Sequence, residues 1–233
     1  MSRLTPIKTN RATLELKRSL KNSRLKLDEA PRFLQVMANS TAALRAYVLA
    51  DAALVRGKLT VRQRKQVALA VAEINGSTYS LSAHYDAGKR LGLTDQEMRL
   101  ARDASAADPK AQTMLRFTQA VVLQRGEISD EDFQALVKAG FTNEQIVEIV
   151  ANIALNIFSN YFNSVAKTEV HFPLLEPGTD TPRVGIRPVT GPACRAHDRV
   201  SKTAAQTSHD RRRPNRWRAG ATARNHTRRQ GIK

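Results

Sequence analysis

Between Leu34 and Val170 the apolar residues recur at intervals of three and four, the period of a helix with one buried face. Val67, Val71 and Ile74 stand at i, i+4 and i+7, and Leu44, Val48 and Leu54 belong to the run that ends before Gly57. The punctuation between these runs is that of helix ends. Thr60 with Gln63, Thr94 with Glu97 and Thr142 with Gln145 have capping-box spacing, in which a hydroxyl accepts from the third helical N–H and a longer side chain reaches back. Ser129 with Asp132 is a further cap, and Asp108-Pro109 puts an N-cap residue before a proline at the first helical position. Gly57, Gly92, Gly126 and Gly140 fall where apolar runs stop. Gly76 interrupts one run, and the segment after it reads as helical through Lys89. No segment alternates with period two for long enough to make a strand, and no repeat of solenoid spacing is present. These features predict an all-α body of six to eight helices joined by short loops.

The helix that opens at Thr142 reads to about Val170 and is apolar almost all round: Ile146, Ile149, Val150, Ile153, Leu155, Ile157, Phe158 and Phe162. Such a helix is expected to be buried, either within the subunit or between subunits. Asn152, Asn156, Asn160 and Asn163 run through it at spacings of 4, 4 and 3, on one face. Buried amides need partners, so this row reads as hydrogen bonding between helices or subunits, with ligand contact as the alternative.

Charge divides the chain into three. The formal net charge is +17, but residues 27–176 carry 16 basic and 17 acidic side chains, while residues 1–26 carry +7 and residues 177–233 carry +11. The expected organisation is therefore a basic N-terminal extension over 1–26, a near-neutral helical domain over 27–176 and a disordered Arg-rich tail over 177–233. The tail is rich in Pro, Gly and Thr, holds Trp217 and has no apolar period, so it cannot bury enough surface to offset ordering. It reads as a solvated appendage; binding of a phosphate backbone through charge and stacking is the alternative. No uninterrupted apolar stretch suits a membrane span, and no apolar leader segment is visible. The single cysteine, Cys194, excludes an intrachain disulfide and suits a reducing cytoplasm.

The chemistry-bearing residues lie around "NGSTYSLSAH", residues 75–84. Ser77, Ser80 and His84 occupy i, i+3 and i+7 on one helical face. Cysteines at both serine positions would make a dithiol at a helix start beside a proton-transfer group, where thiolate is stabilised and a disulfide can close. Serine has no accessible redox couple. Tyr79 reads as packing, His171 as a structural cation at a helix end, and Cys194 as an isolated ordinary thiol. Glu73 lies at a different helical phase from the serines. No metal-ligand spacing, phosphate-binding glycine loop or nucleophile elbow is present, so neither metal nor cofactor is expected.

Three separated segments carry a resemblance: "APRFLQVMANSTAALRAYVLADAAL", "LTVRQRKQVALAVAEINGSTYSLSAHYDAGKRLGLTDQEM" and "FTNEQIVEIVANIALNIFSNYFNSVAKTEVHFP". Over about Leu27 to Pro173 the chain resembles the carboxymuconolactone decarboxylase / alkylhydroperoxidase D-like family, in its peroxidase-related branch. The resemblance implies an alkylhydroperoxidase D-like helical bundle, assembly as a homo-oligomer of three subunits or a multiple, and a peroxiredoxin-like oxidoreductase activity in which a CxxC pair reduces hydroperoxides with the help of a glutamate and a histidine. Its four site positions fall on Ser77, Ser80, His84 and Lys65. Three of the four are substituted, and at Lys65 a carboxylate has become an ammonium. The thiol mechanism is impossible with Ser77 and Ser80. The decarboxylase side of the resemblance implies a cysteine-independent lyase or isomerase, with His84 moving a proton and Lys65 holding a small-molecule carboxylate. A non-catalytic oligomeric binding protein is the third reading.

Overall fold

The computed structural model describes residues 2–23 and 26–178, and all of these lie in one compact unit. The tail expected over 177–233 lies outside the described residues from position 179 on, as do Cys194 and Trp217. Among the described residues there are nine α-helices and no strand: α1 Leu14–Ser23, α2 Arg32–Met37, α3 Thr41–Val55, α4 Val61–Ile74, α5 Thr78–Arg90, α6 Asp95–Arg102, α7 Pro109–Leu123, α8 Asp130–Lys138 and α9 Asn143–Ala166. The all-α reading holds. No helix among the described residues is long and apolar enough to cross a membrane.

The caps form where their spacing placed them. Thr60, Thr94 and Thr142 complete full capping boxes with Gln63, Glu97 and Gln145, and the Asp108 and Ser129 side chains accept from the N–H of Ala111 and Asp132. The last helix stops at Ala166, short of the expected Val170. Lys167 takes a left-handed conformation (φ 49°) and closes α9, its N–H bonded to the Asn163 carbonyl. His171 is therefore past the helix, not on its C-terminal dipole as the sequence suggested. Its Nε2 instead accepts from Arg32 Nε at 2.7 Å.

Helix α4 is the centre of the domain and packs against α5, α6, α7 and α9. Every residue from Gln66 to Ala72 is buried, so this helix is covered on all sides where the pattern foretold one apolar face. Small side chains at Ala68, Ala70 and Ala72 let four neighbours approach it. At Gly88 in α5 an added Cβ would stand 2.5 Å from Met98 Sδ, so the glycine admits α6 to close contact. A second apolar cluster joins α1, α2 and α3 through Leu16, Leu34, Met37 and Leu44, with Phe162 of α9 against it. The N-terminal segment is thus packed on the helical domain through Ala12 and Leu16.

Among the described residues, α9 is covered on one side. Ile146, Ile149 and Ile153 are buried, while Val147, Val150, Phe158, Tyr161 and Val165 are exposed. With the exposed Ala154 they follow spacings of 3, 4, 4, 3 and 4, a continuous apolar stripe of heptad type along the outer face.

Candidate functional site

The turn from α4 into α5 sets the geometry. Asn75 caps α4, and Gly76 adopts φ +62°, a conformation that glycine reaches without strain. Gly76 N–H bonds to the Glu73 carbonyl at 3.0 Å and Ser77 N–H to that of Ala72 at 2.9 Å, the paired bonds of a Schellman closure. The reversal delivers Ser77 to the N-cap of α5. Its hydroxyl does not cap the helix. It donates instead to Ser80 Oγ at 3.0 Å, with both serines buried.

Ser80 Oγ accepts a second bond, from Asn163 Nδ2 of α9 at 3.2 Å. The expected inter-helix role of the asparagine row is met here and at Asn156, whose side chain hydrogen-bonds His84. Asn152 and Asn156 also donate to carbonyls of their own helix, those of Glu148 and Asn152, both at 2.8 Å. Asn160 is fully buried, and neither atom of its amide has a partner among the described residues.

His84 and Lys65 lie close enough for their charges to interact. Desolvation, reinforced by the Lys65 cation, pushes His84 down to about 3, against the bond from Asn156. The imidazole is therefore neutral at physiological pH. Lys65 is itself held below the usual lysine range, first by burial, with Asp51 of α3 pulling the other way and Arg64 and Arg90 adding to the depression. Asp51 stands at the exposed rim, its carboxyl raised by desolvation against Lys65 and Arg64. Tyr47, which packs on Phe158 (ring centroids 6.1 Å apart) and hydrogen-bonds Ser159, is raised by burial and then by Asp51. The four positions that the sequence singled out, Lys65, Ser77, Ser80 and His84, thus fall on adjoining segments of α4 and α5, with α9 supplying amides from across the core.

The low value of His84 has a stability consequence. A histidine whose folded value lies below its ordinary 6.5 takes up its proton more readily in the unfolded chain. The associated stability is complete above pH 6.5 and is lost as pH falls from there toward 3, by at most about 1.4 kcal/mol per pH unit. Urea midpoints measured between pH 7.5 and 5 should fall more steeply for the wild type than for His84→Gln. Parallel curves would show that His84 is solvated in the folded state.

Other candidates have structural roles. Tyr79 turns its hydroxyl to α2, accepting from Phe33 N–H at 3.1 Å, and packs between Phe33 and Phe172. Glu73 pairs with Arg102 (Nε to Oε2, 2.8 Å) and accepts from Gly178 N–H at 2.7 Å. Glu148 accepts from the N–H groups of Lys58 and Leu59 at 2.8 to 3.0 Å and so pins the turn before α4. Sequence reasoning missed the last two, since Lys58 lies 90 residues from Glu148 and Gly178 lies 105 from Glu73. No group of three metal-ligating side chains occurs among the described residues.

Residues 37–121, which hold α3 to α6 and the Ser77–His84 segment, match the family model described as the carboxymuconolactone decarboxylase family. That segment is similar to this family. Among solved structures, a peroxidase-related protein from Silicibacter sp. TM1040 is 22% identical, with 72% of this chain and 91% of that one covered and a TM-score of 0.62. An alkylhydroperoxidase AhpD-core, peroxidase-related protein from Ralstonia eutropha JMP134 is 21% identical over 72% of this chain and 92% of that one, at a TM-score of 0.60. The debrominase Bmp8, solved in complex with 2,3,4-tribromopyrrole, is 17% identical over 72% and 90%, at 0.59. These likenesses show a shared fold. No curated protein matches the chain.

Proposed function

We propose that this relative of the carboxymuconolactone decarboxylase family binds a small organic carboxylate and processes it, as a lyase or isomerase, by proton transfer at His84 rather than by thiol redox chemistry. The observation that carries the reading is the pairing of a desolvated cation, Lys65, with a histidine kept neutral beside it. Hydroperoxide reduction, the activity that the peroxidase-related resemblance suggests, needs a two-electron carrier. The hydroxyls of Ser77 and Ser80 are not one. The fold does not fix the chemistry, since a debrominase and peroxidase-related proteins share it.

The physical logic is substrate-dependent. A carboxylate held against Lys65 offsets the cation that depresses His84 and adds a negative neighbour, both of which raise the imidazole toward the range useful in acid–base catalysis. Asn156 orients the ring. Substrate binding itself would then prepare the base. Two measurements test this: turnover of small lactone carboxylates by wild type and by His84→Ala, and NMR titration of the His84 imidazole with and without the same acids. Turnover should fall about 10²-fold or more in His84→Ala, and the acid should raise the His84 value in wild type but not in Lys65→Met. Equal turnover by the two proteins would end the proposal.

We also propose that two or more copies associate through the apolar stripe of α9, consistent with the homo-oligomer implied by the family resemblance, and that the protein works in a reducing cytoplasm. The stripe is self-complementary in spacing, and Phe158 on it contacts Tyr47 at the rim of the site. Tyr161→Asp should shift sedimentation to the monomer with the helical spectrum intact. An unchanged sedimentation profile would exclude this face.

A further inference from the structure

Few buried side-chain atoms lack a hydrogen-bond partner among the described residues, and three of them are on Asn160 and Asn163, neighbours on one face of α9. Apart from Arg102 Nη1 they are Asn75 Nδ2, both polar atoms of Asn160, Asn163 Oδ1 and Thr168 Oγ1. Asn163 reaches the serine pair directly, and Thr168 and Asn75 are connected to it along the backbone. Thr168 N–H bonds to the Asn163 carbonyl at 3.1 Å, Asn163 Nδ2 reaches Ser80 Oγ at 3.2 Å, and Asn75 precedes Ser77 by two positions. Asn160 lies one turn before Asn163 and one turn after Asn156, on the helix face that gives one amide to Ser80 and the other to His84. It is 0% exposed.

Folded proteins leave few such atoms unsatisfied, because each costs its desolvation without return. The free valences here are neutral and of both kinds: donors on Asn75 and Asn160, acceptors on Asn160 and Asn163, and a hydroxyl on Thr168 that is either. A carboxylate against this face of α9 would meet the amide oxygens of Asn160 and Asn163, and an ammonium would meet the Asn160 N–H₂. A head group that is uncharged and carries a donor beside an acceptor satisfies both, and a carboxamide meets the edge of the Asn160 side chain N–H to O and O to H–N. We infer that the inner end of the site, built on Asn160 and Asn163, recognises a neutral carboxamide-type head. Combined with the reading of Lys65 as a carboxylate anchor, on which this second step rests, the ligand class is the half-amide of a short dicarboxylic acid.

Calorimetric titration of the full chain with three four-carbon probes separates the two steps. Succinamate carries both ends, butyrate the carboxylate alone and butyramide the head alone. In wild type, succinamate should bind at least tenfold more tightly than butyrate, and in Asn160→Leu the ratio should collapse to within threefold. Asn160→Ala carries the same test should the leucine variant fail to fold by circular dichroism. Butyramide binding that depends on Asn160, with no butyrate binding, would support the inner site and remove the Lys65 anchor. Equal affinities for succinamate and butyrate in wild type, a ratio unchanged by the substitution, or no binding of any probe would overturn the inference.

Discussion

Glu73→Ala is expected to destabilise the domain by about 3–5 kcal/mol, the scale for stranding a buried charge. The Arg102 side chain is fully buried and Glu73 nearly so. Arg102 spends Nε on Glu73 and Nη2 on the Glu176 carbonyl at 3.2 Å, and its Nη1 already lacks a partner among the described residues. Removing the carboxylate leaves the guanidinium with one backbone acceptor in a dry environment. It also releases Gly178 N–H, and with it part of the C-terminal strap that Ser82 holds at Leu175 through paired bonds of 2.9 and 3.3 Å. Urea unfolding at neutral pH measures the effect. The double variant Glu73→Ala/Arg102→Met should recover most of the loss, because removing both charges of a buried pair is close to neutral. A loss under about 1 kcal/mol for the single variant, the scale of a solvated surface pair, would show that water reaches Arg102.

The second large effect is a gain. Ser77→Cys/Ser80→Cys should introduce dithiol-dependent peroxide consumption where the wild type has none. The two Oγ atoms already lie 3.0 Å apart, so sulfurs at these positions need only a small further approach to reach a disulfide bond of about 2.05 Å. The α5 N-terminus favours the thiolate at position 77. Adding Lys65→Glu should increase the rate by a further 10²-fold or so, by supplying the carboxylate base in place of a cation. The assay is consumption of hydroperoxide with a dithiol reductant and with Cys194 blocked. Activity of comparable rate in the unaltered protein would refute the assignment of a thiol-free site, and silence of the triple variant would mean that the serine segment has lost more than its sulfur.

Much of this architecture was legible in advance. Three capping boxes, an Asp-Pro start and the glycine stops fixed where α4 to α9 begin and where most of them end, because caps and helical periods are local signals over three or four residues. The placement of Lys65, Ser77, Ser80 and His84 on consecutive helical segments was also readable, since their spacing is set by the turn at Gly76. The end of α9 was misjudged because a left-handed lysine at 167 leaves no compositional mark. Which face of that helix is covered within the subunit was unreadable for a related reason. Apolar content all round a helix says that two surfaces exist to be covered, not which neighbour covers each.

By itself the sequence determined that the body is helical, where its helices start, and that positions 77 and 80 carry hydroxyls and no sulfur, all of which depend on residue identity within a few positions. Only the tertiary structure decided that Glu148 would secure the turn at Lys58, that Glu73 would serve Arg102 and the C-terminal strap rather than the serines, that His84 would be held neutral by desolvation with Lys65 adding to it, and that both amide atoms of Asn160 would lack a partner among the described residues. Each of those outcomes depends on which groups meet across the core and how far water is excluded where they do, and pairings between residues tens of positions apart carry no period that a linear pattern could register.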